Sequence, residues 1–185
     1  PDLKVLAETS GTGSAYAISG AHSNGASSRT IITNADSVEA TAKGGGNTYG
    51  NRGAAIAVNS GGTINLTSQS AGSSSSACAY GSQNGHLTAE NGAIRIIADN
   101  PGTSSGHSAY GSQTGTLAAK TVTVNASTVN GTAYALNNAS TVTAETVKLT
   151  ADSTAGSAYG TYGATTVTAD DVAITANGTT NTWGM

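Results

Sequence analysis

Phenylalanine is absent from this 185-residue chain and aromatics make up only 4% of it, which excludes a core built on large rings. The apolar fraction, 37%, falls below the roughly 45–50% of an ordinary globular domain. Charge is scarce as well, at 9%, and the seven Lys and Arg are scattered. Nucleic-acid binding needs clustered basic side chains to displace counterions, so no nucleic-acid partner is expected. A single cysteine, Cys78, excludes an internal disulfide and is expected to pack as a small apolar residue. No apolar run approaches the roughly 18 residues of a membrane-spanning helix.

In place of the missing classes stand 25 glycines together with Ala, Ser, Thr and Asn. Low hydrophobicity alone suggests disorder, but disordered chains also carry high net charge and few β-branched residues. Here the net charge is −3, and Val, Ile and Thr fall in short alternating runs, as strands with one buried face require.

A small-aromatic-small tripeptide recurs along the whole chain: Ala15-Tyr16-Ala17, Thr48-Tyr49-Gly50, Ala79-Tyr80-Gly81, Ala109-Tyr110-Gly111, Ala133-Tyr134-Ala135, Ala158-Tyr159-Gly160 and Thr182-Trp183-Gly184. Successive aromatics lie 33, 31, 30, 24, 25 and 24 residues apart, within the range that marks solenoids, propellers or arrays. A second segment follows each aromatic, as in Leu87-Thr88-Ala89, Leu117-Ala118-Ala119, Val142-Thr143-Ala144 and Val167-Thr168-Ala169. The third is the most regular and alternates with period two: Val38-Glu39-Ala40, Ile64-Asn65-Leu66, Ile94-Arg95-Ile96, Val122-Thr123-Val124, Val147-Lys148-Leu149 and Val172-Ala173-Ile174.

Three short strands per unit, separated by Gly, Ser, Asn and Asp turns, predict a three-sided parallel β-helix of about six to seven coils. Coils stacked at the strand spacing of about 4.8 Å need only small and aliphatic groups inside, which accounts for the composition. Extra length is expected at corners such as Lys43 to Gly46, Ser70 to Ser76 and Asn100 to Gly106. Leu3-Lys4-Val5-Leu6-Ala7 reads like Val147-Lys148-Leu149-Thr150-Ala151, so the chain is expected to begin in a third strand. Residues 1–185 are thus expected to be one solenoid segment, cut from a longer chain because no capping segment is visible.

Candidate chemistry is sparse. Residues two places from each aromatic, such as Ile18 and Leu136, share its face by strand parity, so the aromatic column is expected to point inward; facing outward, it would be a sugar-stacking platform. Thr141-Val142-Thr143 and Thr166-Val167-Thr168, with Thr88 and Thr116 in related positions, place threonines in outward ranks, and Thr88, Thr141, Thr143, Thr166 and Thr168 form the candidate interaction face. Such ranks also resemble the ice-binding face of some β-solenoids. Asp170 and Asp171 point to opposite faces if extended, and Asp99 and Asp152 read as turn residues, so no acid–base pair forms for a polysaccharide-degrading enzyme. His22, His86 and His107 share no spacing and read as solvated. No catalytic residue, cofactor site or metal site is expected.

The recurring Ala-Tyr-Gly, followed by Thr-Val-Thr-Ala and Val-x-Leu-Thr-Ala, resembles the passenger regions of Gram-negative autotransporters, the type V secreted adhesins. That resemblance implies a right-handed β-helix exported through the outer membrane and displayed on the cell surface. It further implies a role in adhesion, cell aggregation or biofilm formation, with partners that are other copies side to side or a host-surface glycan or protein. An inert stalk that spaces another binding domain is the competing role.

Overall fold

The computed structural model describes residues 1–20, 31–72 and 76–185. Every regular element among them is a β-strand, and all pairing is parallel. The first seven strands are β1 (Asp2–Glu8), β2 (Ala15–Ser19), β3 (Ile31–Gly44), β4 (Thr48–Arg52), β5 (Ala55–Ser70), β6 (Ala79–Gln83) and β7 (His86–Asn100). The others are β8 (Ala109–Thr128), β9 (Ala133–Thr143), β10 (Thr146–Ser153), β11 (Ala158–Tyr162), β12 (Thr166–Thr168), β13 (Asp171–Asn177) and β14 (Thr182–Trp183). They wind into a parallel β-solenoid of about six turns.

Pairing follows three ladders, one for each repeated segment. The aromatic ladder runs β2-β4-β6-β8-β9-β11-β14, with Tyr16, Tyr49, Tyr80, Tyr110, Tyr134, Tyr159 and Trp183 in register. A middle ladder joins β3-β5-β7-β8-β9-β12 and aligns Ile32, Ile56, Leu87, Leu117, Val142 and Val167. The third runs β1-β3-β5-β7-β8-β10-β13, and here the period-two pattern sets the register: Leu3, Val38, Ile64, Ile94, Val122, Val147 and Val172 form one column. Val5, Ala40, Leu66, Ile96, Val124, Leu149 and Ile174 form the next. Leu3 thus stands where the sequence match to Val147 puts it.

These inward columns are the core, and their middle members are fully buried although no side chain exceeds Leu or Ile in size. The outward positions of the third ladder carry exposed ion pairs, Lys4 with Glu39 at 3.0 Å and Lys43 with Glu8 at 3.6 Å, whose contribution at such exposure is small. Asp99 and Asp152, expected in turns, lie within strands instead; Asp99 accepts bonds from Gln69 and Ser127, and Asp152 accepts one from Asn177.

Polar residues hold the corners. At the end of the third ladder Ser70, Asn100, Thr128 and Ser153 are buried, and each donates to a turn carbonyl that the strands leave unpaired. Asn100 does most: its amide donates to the carbonyls of Ala77 (2.7 Å) and Ser108 (3.1 Å) and accepts from the Gly102 N–H. His107 packs beneath this corner and is 3% exposed, not solvated as its Ser/Gly surroundings suggest, because the loop from Pro101 to Gly106 folds over its ring.

At the corner after the aromatic strand, Gly53, Asn84, Thr114, Asn138 and Gly163 all take positive φ, between 50° and 77°. Gly and Asn enter this region at low cost, whereas β-branched Thr is strained there. Thr114→Asn, the residue used in both flanking coils, is therefore expected to stabilise the protein by about 1 kcal/mol. The check is a thermal melt, in which Tm rises by about 2–4 °C.

Candidate interaction surfaces

The aromatic column faces away from the aliphatic core, mostly half-buried and with Tyr49 only 6% exposed, which corrects the expectation from strand parity. Ala79, Ala109, Ala133 and Ala158 before the tyrosines are completely buried, and a Cβ on Gly81, Gly111 or Gly160 after them would run into the core side chains of Ile96, Val124 or Ile174. Parity misleads because alternation slips directly after the ring: Ala135 and Leu136 are consecutive and both fully buried, as are Gly81 and Ser82. Ile18 and Leu136 consequently face the core without sharing the tyrosine's face.

From Tyr16 to Tyr159 the rings stack face to face, with centroids 4.7, 4.8, 4.9, 5.0 and 5.2 Å apart and planes within 1° to 11° of parallel. Coil stacking imposes that distance, since each ring sits one strand spacing from the next. It also removes the ladder as a sugar platform, because a sugar needs a free ring face and from Tyr49 to Tyr134 both faces are covered by the neighbouring rings. What the ladder shows to solvent is edges and hydroxyls. Arg52 closes its first step, 5.3 Å from the Tyr16 centroid and 5.0 Å from that of Tyr49, and its Nη1 donates to the Tyr16 hydroxyl.

Two polar columns flank the rings. On one side Gln83 donates to Gln113 at 2.7 Å and Gln113 donates to Asn137 at 3.2 Å, an amide ladder running with the coils. Asn47, Cys78, Ser108 and Thr132 line the other side, each two residues before a tyrosine. Cys78 is thus partly exposed against the Tyr80 hydroxyl and not packed as an apolar core residue, with its Sγ 3.7 Å from the Ser76 carbonyl.

Burial in this stack pushes up the phenols of Tyr49, Tyr80, Tyr110 and Tyr134, Tyr110 to about 12, from an ordinary value of 10.0. For Tyr80 and Tyr110 the neighbouring Cys78 thiolate and adjacent phenolates add to the effect of burial. The unfolded chain releases these protons from about pH 10, while the folded one retains them to higher pH. Their stabilisation is therefore complete below pH 10 and is lost as pH rises from there through about 12. Tyrosinate absorbance is expected to rise together with loss of the β-sheet circular dichroism signal, and Tyr110→Phe is expected to move that alkaline transition to higher pH.

The predicted threonine face lies on the middle ladder. Thr141 pairs in register with Thr166 and Thr143 with Thr168; all four are exposed, while Val142 between them is buried. Thr88 belongs to the second of these columns, but Ala118 separates it from Thr143. Thr116 extends the first column, and its hydroxyl lies 2.9 Å from His86 Nδ1. The structure thus assembles four of the five threonines of the candidate face into a two-by-two array, extends its first column with Thr116 as the related position suggests, and leaves Thr88 separated from it by the coil of Ala118. His22 lies outside the described residues. Asp170 and Asp171 are both exposed, and no group of three or more metal-ligating side chains occurs among the described residues.

The sequence reading missed one residue of note. Tyr162 stands in the amide column, in register with Asn137, and its ring packs at 63° against Tyr134 and 65° against Tyr159. A ring where the preceding coils carry Arg52, Gln83, Gln113 and Asn137 was the available signal.

Comparisons with protein-family models, with curated proteins and with solved structures find no match for this chain. The functional reading therefore rests on the solenoid and on what its surfaces can do.

Proposed function

We propose that the chain is a structural and adhesive segment of a surface-displayed bacterial autotransporter adhesin, its coil right-handed and three-sided, acting in cell adhesion, self-association and biofilm formation. The observation that carries this reading is the exposed array of Thr116, Thr141, Thr143, Thr166 and Thr168 on a repeating solenoid. Uncharged hydroxyls at strand spacing allow two solenoids to lie side to side with little charge repulsion, and many weak contacts along a stiff rod add through multivalency. The chain has no catalytic role in this reading, and its partner is another copy or a surface glycan or protein.

Beads coated with the chain test it. They are expected to clump as coating density rises, and the double variant Thr141→Lys/Thr166→Lys is expected to disperse them by placing like charges on facing arrays. Beads that stay dispersed at every density favour a stalk that only spaces another domain. The export part of the proposal has its own check, since a translocating β-barrel encoded in the same reading frame supports it and a frame without one overturns it.

A further inference from the structure

We propose that the outward face of the third ladder pairs with the same face of a second copy of this chain, the two solenoids lying side by side and pointing the same way about a two-fold axis parallel to their length. This deepens the self-association reading, and rests on it for the setting in which copies meet, but the face is not that of the threonine array.

Charge on this face obeys a rule that the single solenoid does not need. Between its corners each strand presents three outward side chains, and the outer two are four residues apart. Lys4 shares a strand with Glu8, Glu39 with Lys43, Arg95 with Asp99 and Lys148 with Asp152. Where the first position is uncharged the second is too, as with Asn65 and Gln69 or Thr123 and Ser127. Four residues of extended chain span about 13 Å, beyond the Debye length of about 8 Å at physiological ionic strength, so the two charges within a strand hardly attract each other. Pairing between coils explains the first two strands, where Lys4 meets Glu39 and Lys43 meets Glu8. It does not explain the others. The neighbours of Arg95 are Asn65 and Thr123, those of Lys148 are Thr123 and Ala173, and no ion pair reaches either cation among the described residues.

A two-fold axis along the solenoid accounts for the rule. It lays the first outward column of one copy on the third column of the other, coil for coil, so that Arg95 faces Asp99 of the second copy and Asp99 faces its Arg95. Lys148 and Asp152 meet in the same way, and the two mixed strands before them add alternating charges that also match. The middle column meets its own image on the axis, where any charge would be repelled by itself. It is uncharged in every strand, with Thr41, Thr67, Ile97, Asn125 and Thr150 along its interior. Turning the second copy end over end instead lays the first column on itself, a column in which Lys4, Arg95 and Lys148 outnumber Glu39, and like charges then oppose one another. The face therefore selects copies that point the same way, as neighbours on one shared surface do.

Sedimentation of the full chain reads the association. A concentration-dependent dimer is expected at low salt, weakened at least about tenfold in about 1 M salt, where the Debye length falls to about 3 Å. Arg95→Glu is expected to weaken it at least about tenfold, by setting like charges at both contacts with Asp99, while Tm stays within about 2 °C. Asp99→Lys alone is expected to weaken it similarly. An equimolar mixture of the two variants is expected to recover the wild-type affinity, because every contact across the axis then joins opposite charges again. Three results overturn the proposal: a wild-type chain that stays monomeric at low salt, a dimer that Arg95→Glu leaves unchanged or tightens, as the end-over-end arrangement requires, or a mixture that associates no better than its components. Thr141→Lys/Thr166→Lys is expected to leave this dimer intact, and its loss in that variant would move the contact to the threonine array. Either reading can thus fail while the other stands.

Discussion

Replacing Ile96 with alanine is expected to lower the unfolding free energy by about 3–4 kcal/mol, read from the shift of a urea or thermal transition. Ile96 is fully buried in the third ladder, with Leu66 and Val124 in register on either side. Truncation removes its transfer free energy and also leaves a void. Relaxation around that void is restricted for a reason particular to this fold. The strands on both sides are pinned by continuous pairing, and the lining groups are short side chains with little reach. Ile96→Val keeps one branch of the side chain and is expected to cost only about 1 kcal/mol. A loss below about 1 kcal/mol for the alanine variant would show that the coil can collapse, contrary to the close packing described above.

The third ladder was legible in the sequence almost residue by residue, because its signal is alternation between fully buried and solvated positions over five or more residues. Val38, Ile64, Ile94, Val122 and Val147 could be aligned by eye, and they pair in that register. The aromatic strand was legible as a repeat but not in its orientation. Its strict alternation lasts only from Ala79 to Gly81, then two consecutive residues face the core, so counting by twos from Leu136 or Ile18 reverses the ring's face.

The buried corners were not legible for a different reason. Asn100, His107 and Ser153 are types that normally solvate, and only the stacking of one turn on the next buries them against carbonyls that need donors. The threonine array was largely legible, since outward Thr on a strand needs only the strand's parity. Thr116 belongs to the same ranks although Gly115 and Leu117 around it do not repeat the Thr-Val-Thr pattern, and it pairs in register with Thr141 as its related position suggests. Tyr162 escaped because a second ring three residues after Tyr159 looks like noise in the repeat until its column of amides is seen.

Gly81→Ala is expected to cost about 2 kcal/mol, and Ile96→Leu in the same chain is expected to recover most of that loss. A Cβ at position 81 points into the core and collides with the Cγ2 methyl of Ile96. The same geometry holds at Gly111, which faces Val124, and at Gly160, which faces Ile174; each glycine meets a β-branched residue. One coil of this protein already contains the alternative. Ala135 aligns with Gly111 and Leu149 with Val124, so in that coil the third ladder carries Leu, whose branch lies one carbon further out, and the aromatic strand carries Ala. Both residues of that coil are fully buried. Gly50 faces Leu66, and a Cβ there would meet the Leu66 Cβ at 3.3 Å, a looser side-chain contact than Ile96 gives at position 81, while the Gly81 carbonyl would still lie 2.7 Å away. Ile96→Leu alone conserves volume and is expected to cost less than about 1.5 kcal/mol. A double-mutant cycle measured by denaturant titration reads the coupling directly, with an expected interaction energy of about 1–2 kcal/mol in favour of the Ala/Leu pair. Additive losses would mean that the alanine is opposed by the backbone carbonyl of Gly111, which also lies close to the added Cβ, and not by the branch of Ile96.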